Sequence, residues 1–291
     1  MATLEKTSKV FLIHFSGGGE PFLAPNLIEA CIEITKRHYI SFTTNLTSSR
    51  VREFAEEINP RRVVRIVASA HVEELERCRL LDVYIHNFLL LQEKGFEVRA
   101  REVAYPPLLK EVERYKHLFR KRGIELEFKP FFGEYEGRVY PFSYTDRESK
   151  IFGFGDNNKS VLKKHLQYKR ICNAGYNLGV ADGEGNVRVC SLIDIKIGNI
   201  YNNIKFRKNL IICPLKFCHC PFNEQDPPLF QKALRECKVK PQKLTGYHLY
   251  LLQIYKKIDR ALGLFGIFLQ CNYPEAYLNY RNFRNKYQIM S

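Results

Sequence analysis

"FLIHFSGGGEPFLAPN", residues 11–26, sets an apolar run against three glycines, one acid and two prolines. The apolar half, extended to "VFLIHF", reads as a buried strand, and "PNLIEACIEITKRH" after it as a helix entered at Pro25, a position that proline tolerates. The glycines then lie at the carboxyl end of a strand. There they allow torsions and close approach that a side chain forbids, and Glu20 adds one anionic acceptor. The turn has neither the Gly-Lys-Ser/Thr of a P-loop nor the spacing of the dinucleotide fingerprint.

Outward from this stretch the same alternation repeats. "YISFTTN" is a second strand, followed by the short helix "SSRVREFAEEIN" with Ser48 or Ser49 as its cap. "RRVVRIVASA" is a third strand. From His71 to Lys94 a single helix is expected, its apolar face made by Leu81, Ile85, Phe88 and Leu89 and its end marked by Gly95. "FEVRAREVAY" is a fourth strand, "PPLLKEVERYKHLFRKR" a helix entered through prolines and left through Gly123, and "IELEFKPFF" a fifth strand. Five strands separated by four helices imply parallel pairing with right-handed crossovers. The functional loops of a parallel sheet lie at the carboxyl ends of its strands, whether it is open or rolled into a barrel.

The 291 residues, 45% of them hydrophobic, suffice for a full core, and the composition excludes global disorder. No apolar run approaches the roughly 20 residues of a membrane-spanning helix, and "MATLEKTSKV" lacks a signal-peptide core, so a cytoplasmic protein is expected. The formal charge of +15 draws polyanions. Its spread along the chain favours a solvated basic surface over a nucleic-acid site.

Beyond Phe132 the pattern changes to short strands and turns: "GEYEGRVYPF", "FGFGDNN" and "NLGVADGEGNVRVC". The last is a hairpin turning at Asp182 to Gly185. Nine cysteines, an odd number, argue against a disulfide framework. Cys172, Cys190, Cys213, Cys218 and Cys220 fall within 49 positions, a crowding that calls for metal. After the prolines at 227 and 228 the chain turns helical again.

"SGGGEP" at the end of an early strand, followed by the helix and then "SFTTN", resembles the radical S-adenosylmethionine (SAM) family. The resemblance implies that Gly18, Gly19 and Glu20 hold the amino group of S-adenosyl-L-methionine, and that Asn45 and Ser69 line its pocket. Cys172, twelve residues, Gly185, four residues and Cys190 are similar to the opening of the SPASM or twitch auxiliary-cluster region of peptide-modifying members. "CPLKFCHC" then supplies Cys213, Cys218 and Cys220. An auxiliary 4Fe-4S cluster on Cys172, Cys190 and two of those three is the implied cofactor, since a cubane is usually held by four thiolates. Zinc is the rival, although the chain has no C-x2-C knuckle.

The sequence departs from the family in two places. After Cys190 the spacing is C-x4-C-x-C rather than the longer SPASM series, which implies one auxiliary cluster, with a second open through Cys237. The C-x3-C-x2-C that carries the catalytic cluster has no counterpart before the glycine turn. The implied fold class is therefore α/β: a partial (β/α)6 TIM-like barrel lacking its first strand-helix unit over 9–132, a small Cys-rich auxiliary-cluster domain over 133–225, and a helical tail over 226–291. A missing first strand would leave a barrel edge uncovered. The implied function is peptide or protein modification in a complete form and inactivity of this chain alone. A truncated enzyme is favoured over a degenerate paralogue. Its partners would be a peptide or protein substrate, and a missing amino-terminal segment or second chain that supplies the lost cluster. The alternative is a non-catalytic basic module, its final helix tyrosine-rich, that binds an acidic peptide or RNA.

Overall fold

The computed structural model describes residues 2–6, 9–156, 171–172, 174–208, 211–212 and 276. A short helix α1 (Ala2–Glu5) precedes the first strand. Strands β1 (Leu12–Phe15), β2 (Tyr39–Thr44), β3 (Val63–Ser69), β4 (Val98–Ala104) and β5 (Leu126–Pro130) form one sheet in the order β1-β2-β3-β4-β5. All four pairings are parallel, as the alternation of strands and helices requires. Each new strand adds on the far side of the last, without the reversal of a doubly wound sheet. Among the described residues the sheet is open, and β1 is an edge strand paired to β2 alone.

The helices are α2 (Leu27–Thr35), α3 (Arg50–Glu57), α4 (Val72–Arg77), α5 (Leu81–Glu93) and α6 (Val112–Arg120). Their apolar residues, among them Ile28, Phe54, Tyr84, Phe88 and Phe119, form one core with Phe42, Ile66, Ala68 and Ala100 of the sheet. These strand residues share one face, because successive side chains alternate across a strand. Burying this face is the main stabilising term of the domain. Phe42 is central to it, with Phe15 and Phe22 stacked on its ring and Phe54 edge-on.

The single helix expected from His71 to Lys94 is two. α4 stops at Arg77, Arg79 takes a left-handed φ of 58°, and Leu80 N–H returns to the Leu75 carbonyl at 2.8 Å. This closing pattern normally carries glycine, and an arginine in its place hides the break from sequence. Of the expected apolar face, Ile85 and Phe88 are buried, whereas Leu89 is 39% exposed.

After β5 comes a hairpin, β6 (Gly133–Tyr135) and β7 (Arg138–Tyr140), and then a helix α7 (Asp146–Ile151) that the sequence reading lacks. Its signal was present: Thr145 and Glu148 form a capping box at the spacing that identifies one. Two-residue strands β8 (Ile171–Cys172) and β13 (Ile211–Ile212) pair with each other. Between them, β9 (Val180–Ala181), β10 (Asn186–Cys190), β11 (Ile193–Asn199) and β12 (Asn203–Ile204) make an antiparallel sheet in the order β12-β11-β10-β9.

The expected hairpin is present, and Asp182 Oδ1 fixes its turn by accepting from Glu184 N and Asn186 N. Gly185 has φ +80°, and a Cβ there would lie 2.6 Å from the Tyr201 ring. Phe206, just beyond β12, stacks on Phe11 at 6.0 Å and so brings the end of this region against the start of β1. The tail expected over 226–291 lies outside the described residues except for residue 276. No described helix is long and apolar enough to cross a membrane.

Candidate functional site

The turn after β1 is built by backbone torsion. Gly17, Gly18 and Gly19 have φ of +77°, +69° and +124°, and a Cβ at any of them would meet nothing within 4 Å. Glycine is needed there for conformation rather than for room. All three are exposed, and Glu20 behind them is half-buried.

The Glu20 carboxylate is fixed by three protein hydrogen bonds. Oε1 accepts from Thr44 Oγ1 at 2.5 Å and from Phe22 N at 3.2 Å, and Oε2 accepts from Asn45 N at 2.7 Å. A carboxylate offers roughly four acceptor directions, so about one remains, on Oε2. Thr44 Oγ1 also accepts from Leu46 N at 3.0 Å. Leu46 is fully buried at φ 53°, and Asn87 Nδ2 of α5 donates to its carbonyl at 2.8 Å. The glycine turn, the end of β2 and a helix of the opposite layer are thereby joined into one support. Thr44 and Asn87 are missing from the sequence-based site. The threonine next to Asn45 in "FTTN" was legible, but the reach of Asn87 across the layers was not.

Asn45 contributes its backbone N–H to Glu20, while its Oδ1 is turned away to accept from Thr47 N and Thr47 Oγ1 at 3.0 and 2.8 Å. Ser69 ends β3 and pairs in register with Arg101 of β4. Beside it a second carboxylate repeats the pattern of the first: buried Glu102 accepts from Val72 N and Val103 N, each at 2.7 Å. Its other neighbour is His71, whose Nδ1 lies 3.8 Å away and whose φ is 36°.

The sheet face opposite the helices is polar. Register places His14, Ser41 and Thr43 on it at one side, Arg65, Val67 and Ser69 in the middle, and Arg99, Arg101, Glu127 and Lys129 at the other. His14 bridges Ser41 Oγ at 2.7 Å and Thr43 Oγ1 at 3.2 Å, and burial lowers the pKa of its imidazole. A chain of ion pairs crosses the other side. Glu97 contacts Arg65 at 2.9 Å and Arg99 at 3.0 Å, and Glu127 contacts Arg101 at 3.0 Å and Arg99 at 3.8 Å. Parallel strands ordinarily read as continuous apolar runs because both faces are covered. The alternation in "VRAREVA" was the sequence signal that one face of β4 differs.

Of the five cysteines expected at a metal site, Cys213, Cys218 and Cys220 lie outside the described residues. Cys172 is in β8 opposite Ile211, and Cys190 is half-buried at the end of β10. Among the described residues no group of three or more His, Cys, Asp or Glu side chains could hold a metal ion.

No protein-family model and no curated protein matches the chain. Similar solved structures include histidine-tagged anSMEcpe with bound AdoMet, 17% identical, covering 65% of this chain and 60% of that chain at a TM-score of 0.45. Another is native anSMEcpe with bound AdoMet and Kp18Cys peptide, 15% identical, covering 78% of this chain and 69% of that chain at a TM-score of 0.45. This chain thus matches about 60% of the length of the first.

Proposed function

We propose that the chain is a radical SAM-type protein with an auxiliary iron-sulfur region, of the kind that modifies peptides or proteins when its catalytic cluster is complete. The single observation that carries this is the Glu20 clamp: an exposed glycine turn at a strand's carboxyl end, with a carboxylate immobilised behind it and one acceptor direction left over. That arrangement fits an ammonium group, which needs an anionic acceptor and close backbone approach. Gly18, Gly19 and Glu20 would hold the amino end of SAM, with Asn45 and Ser69 along its length. The five-stranded sheet would be part of a barrel, and its polar face the chamber wall.

When bound at a complete catalytic cluster, SAM supplies the chemistry of hydrogen-atom abstraction. The residues of this chain would do the binding and positioning. Cleavage of SAM would need a catalytic cluster held by C-x3-C-x2-C, a motif that the 291 residues do not contain. Cys172, Cys190 and two of Cys213, Cys218 and Cys220 would hold the auxiliary 4Fe-4S cluster, for which thiolates are the usual ligands.

Equilibrium dialysis of the full chain against SAM tests the reading, with circular dichroism as a control for folding. Binding is expected, and Glu20→Gln should weaken it by about tenfold or more, the loss of one hydrogen bond to a charged group. No binding by the unaltered chain overturns the proposal. Anaerobic reconstitution should give a brown protein with comparable iron and sulfide, and zinc without sulfide would remove the cluster.

A further inference from the structure

The polar face of the parallel sheet is unevenly compensated. Toward the amino ends of the strands its cations are matched: Arg65 and Arg99 share Glu97, and Arg101 pairs with Glu127. Two positions further along β5, Lys129 has no carboxylate within ion-pairing distance among the described residues. It stands opposite Val103, diagonal to Arg101, at the carboxyl end where Ser69 also closes its strand. The two cations are therefore neighbours on one face, and only Arg101 is in an ion pair among the described residues.

Lys129 is open to solvent, yet surrounding protein, and secondly Arg101, hold its ammonium below the ordinary lysine range; Glu102 opposes this. A cation held beside a second cation and without an ion-pair partner raises the energy of the fold. It is relieved when an anion enters, and two adjacent donors bind one more strongly than a single cation does.

We propose that Lys129 and Arg101 form an anion subsite that recognises a carboxylate or phosphate group on the substrate. Arg101 stays anchored by Glu127 through Nε and turns its remaining N–H donors to the anion, while Lys129 supplies the charge that is in no ion pair. The subsite rests on reading the carboxyl edge of the sheet as the reaction chamber, and it restricts the substrate class to molecules with an acidic group. The +15 of the whole chain would gather such molecules, and this pair would orient them.

Trace acetylation of the full chain, read by mass spectrometry at each lysine, tests this without any variant. Inorganic phosphate and glutarate, at matched ionic strength, should each slow acetylation of Lys129 while that of exposed Lys36 stays unchanged. Lys129→Gln and Arg101→Gln should each weaken phosphate binding by about tenfold or more, the loss of one charge-assisted contact. SAM affinity, measured separately by dialysis, should be the same in Lys129→Gln as in the unaltered chain. Equal protection of Lys36 and Lys129 overturns the proposal. So does a fall in SAM affinity in Lys129→Gln, because the anion recognised would then be the carboxylate of SAM. Failure of the unaltered chain to bind SAM would overturn the reading of the glycine turn and leave the phosphate result legible by itself.

Discussion

Removing the Glu20 carboxylate should loosen the end of β2 before it affects anything else. Glu20→Ala leaves Asn45 N–H, Phe22 N–H and the Thr44 hydroxyl without their acceptor. Each hydrogen bond to a charged group contributes roughly 1.5–3 kcal/mol, but the three share one carboxylate and are not additive. Water can replace part of what is lost at a half-buried site, so a net destabilisation of about 2–3 kcal/mol is expected. Thr44→Val should cost about 1–3 kcal/mol by another route, because it leaves the backbone N–H of buried Leu46 without a partner. The two substitutions meet in one network, so a double-mutant cycle should show a coupling of about 1 kcal/mol. Urea unfolding gives the energies, and hydrogen exchange across residues 39–48 gives the location. Strict additivity, with unaltered exchange at the Asn45 amide in Glu20→Ala, would refute the clamp.

The imidazole of His14 titrates below its ordinary range because of burial, so the folded state resists its protonation. Its contribution is therefore complete above the unfolded value of about 6.5 and is lost as pH falls below it. His14→Gln should make stability less sensitive to pH between 7 and 5, as measured by urea titration at each pH. The thiol of Cys31, fully buried in α2 and pushed up to about 12 by desolvation, should stay unreactive toward maleimide until the chain unfolds. Exposed Cys78 should react, but slowly, since its hydrogen bond to Glu74 raises its pKa; Glu74→Gln should accelerate it. Gly198→Ala should disrupt the β11–β12 turn, because at φ +146° a Cβ would lie 2.0 Å from the Asn203 carbonyl oxygen; weakened protection of residues 193–204 in hydrogen exchange would show it. Binding of the chain to RNA at low salt that weakens steeply with added salt would support the basic-module alternative instead.

Local pattern was enough to specify the parallel sheet, because five strand-like segments separated by amphipathic helices leave few other topologies. It also placed the glycine turn and Glu20 at a strand's carboxyl end, since strand, turn and helix signals are local. Three matters depended on contacts between distant residues. The break at Arg79 was decided by how α4 and α5 pack, against a local sequence with no glycine to mark it. The clamp on Glu20 needed Thr44, 24 residues away, and the support of Leu46 needed Asn87, 41 residues away. That Lys129 is in no ion pair among the described residues emerged only when register paired Glu127 with Arg101 and left Lys129 opposite Val103. Period-2 alternation marks which residues share a face, but the alignment of neighbouring strands decides which charges meet.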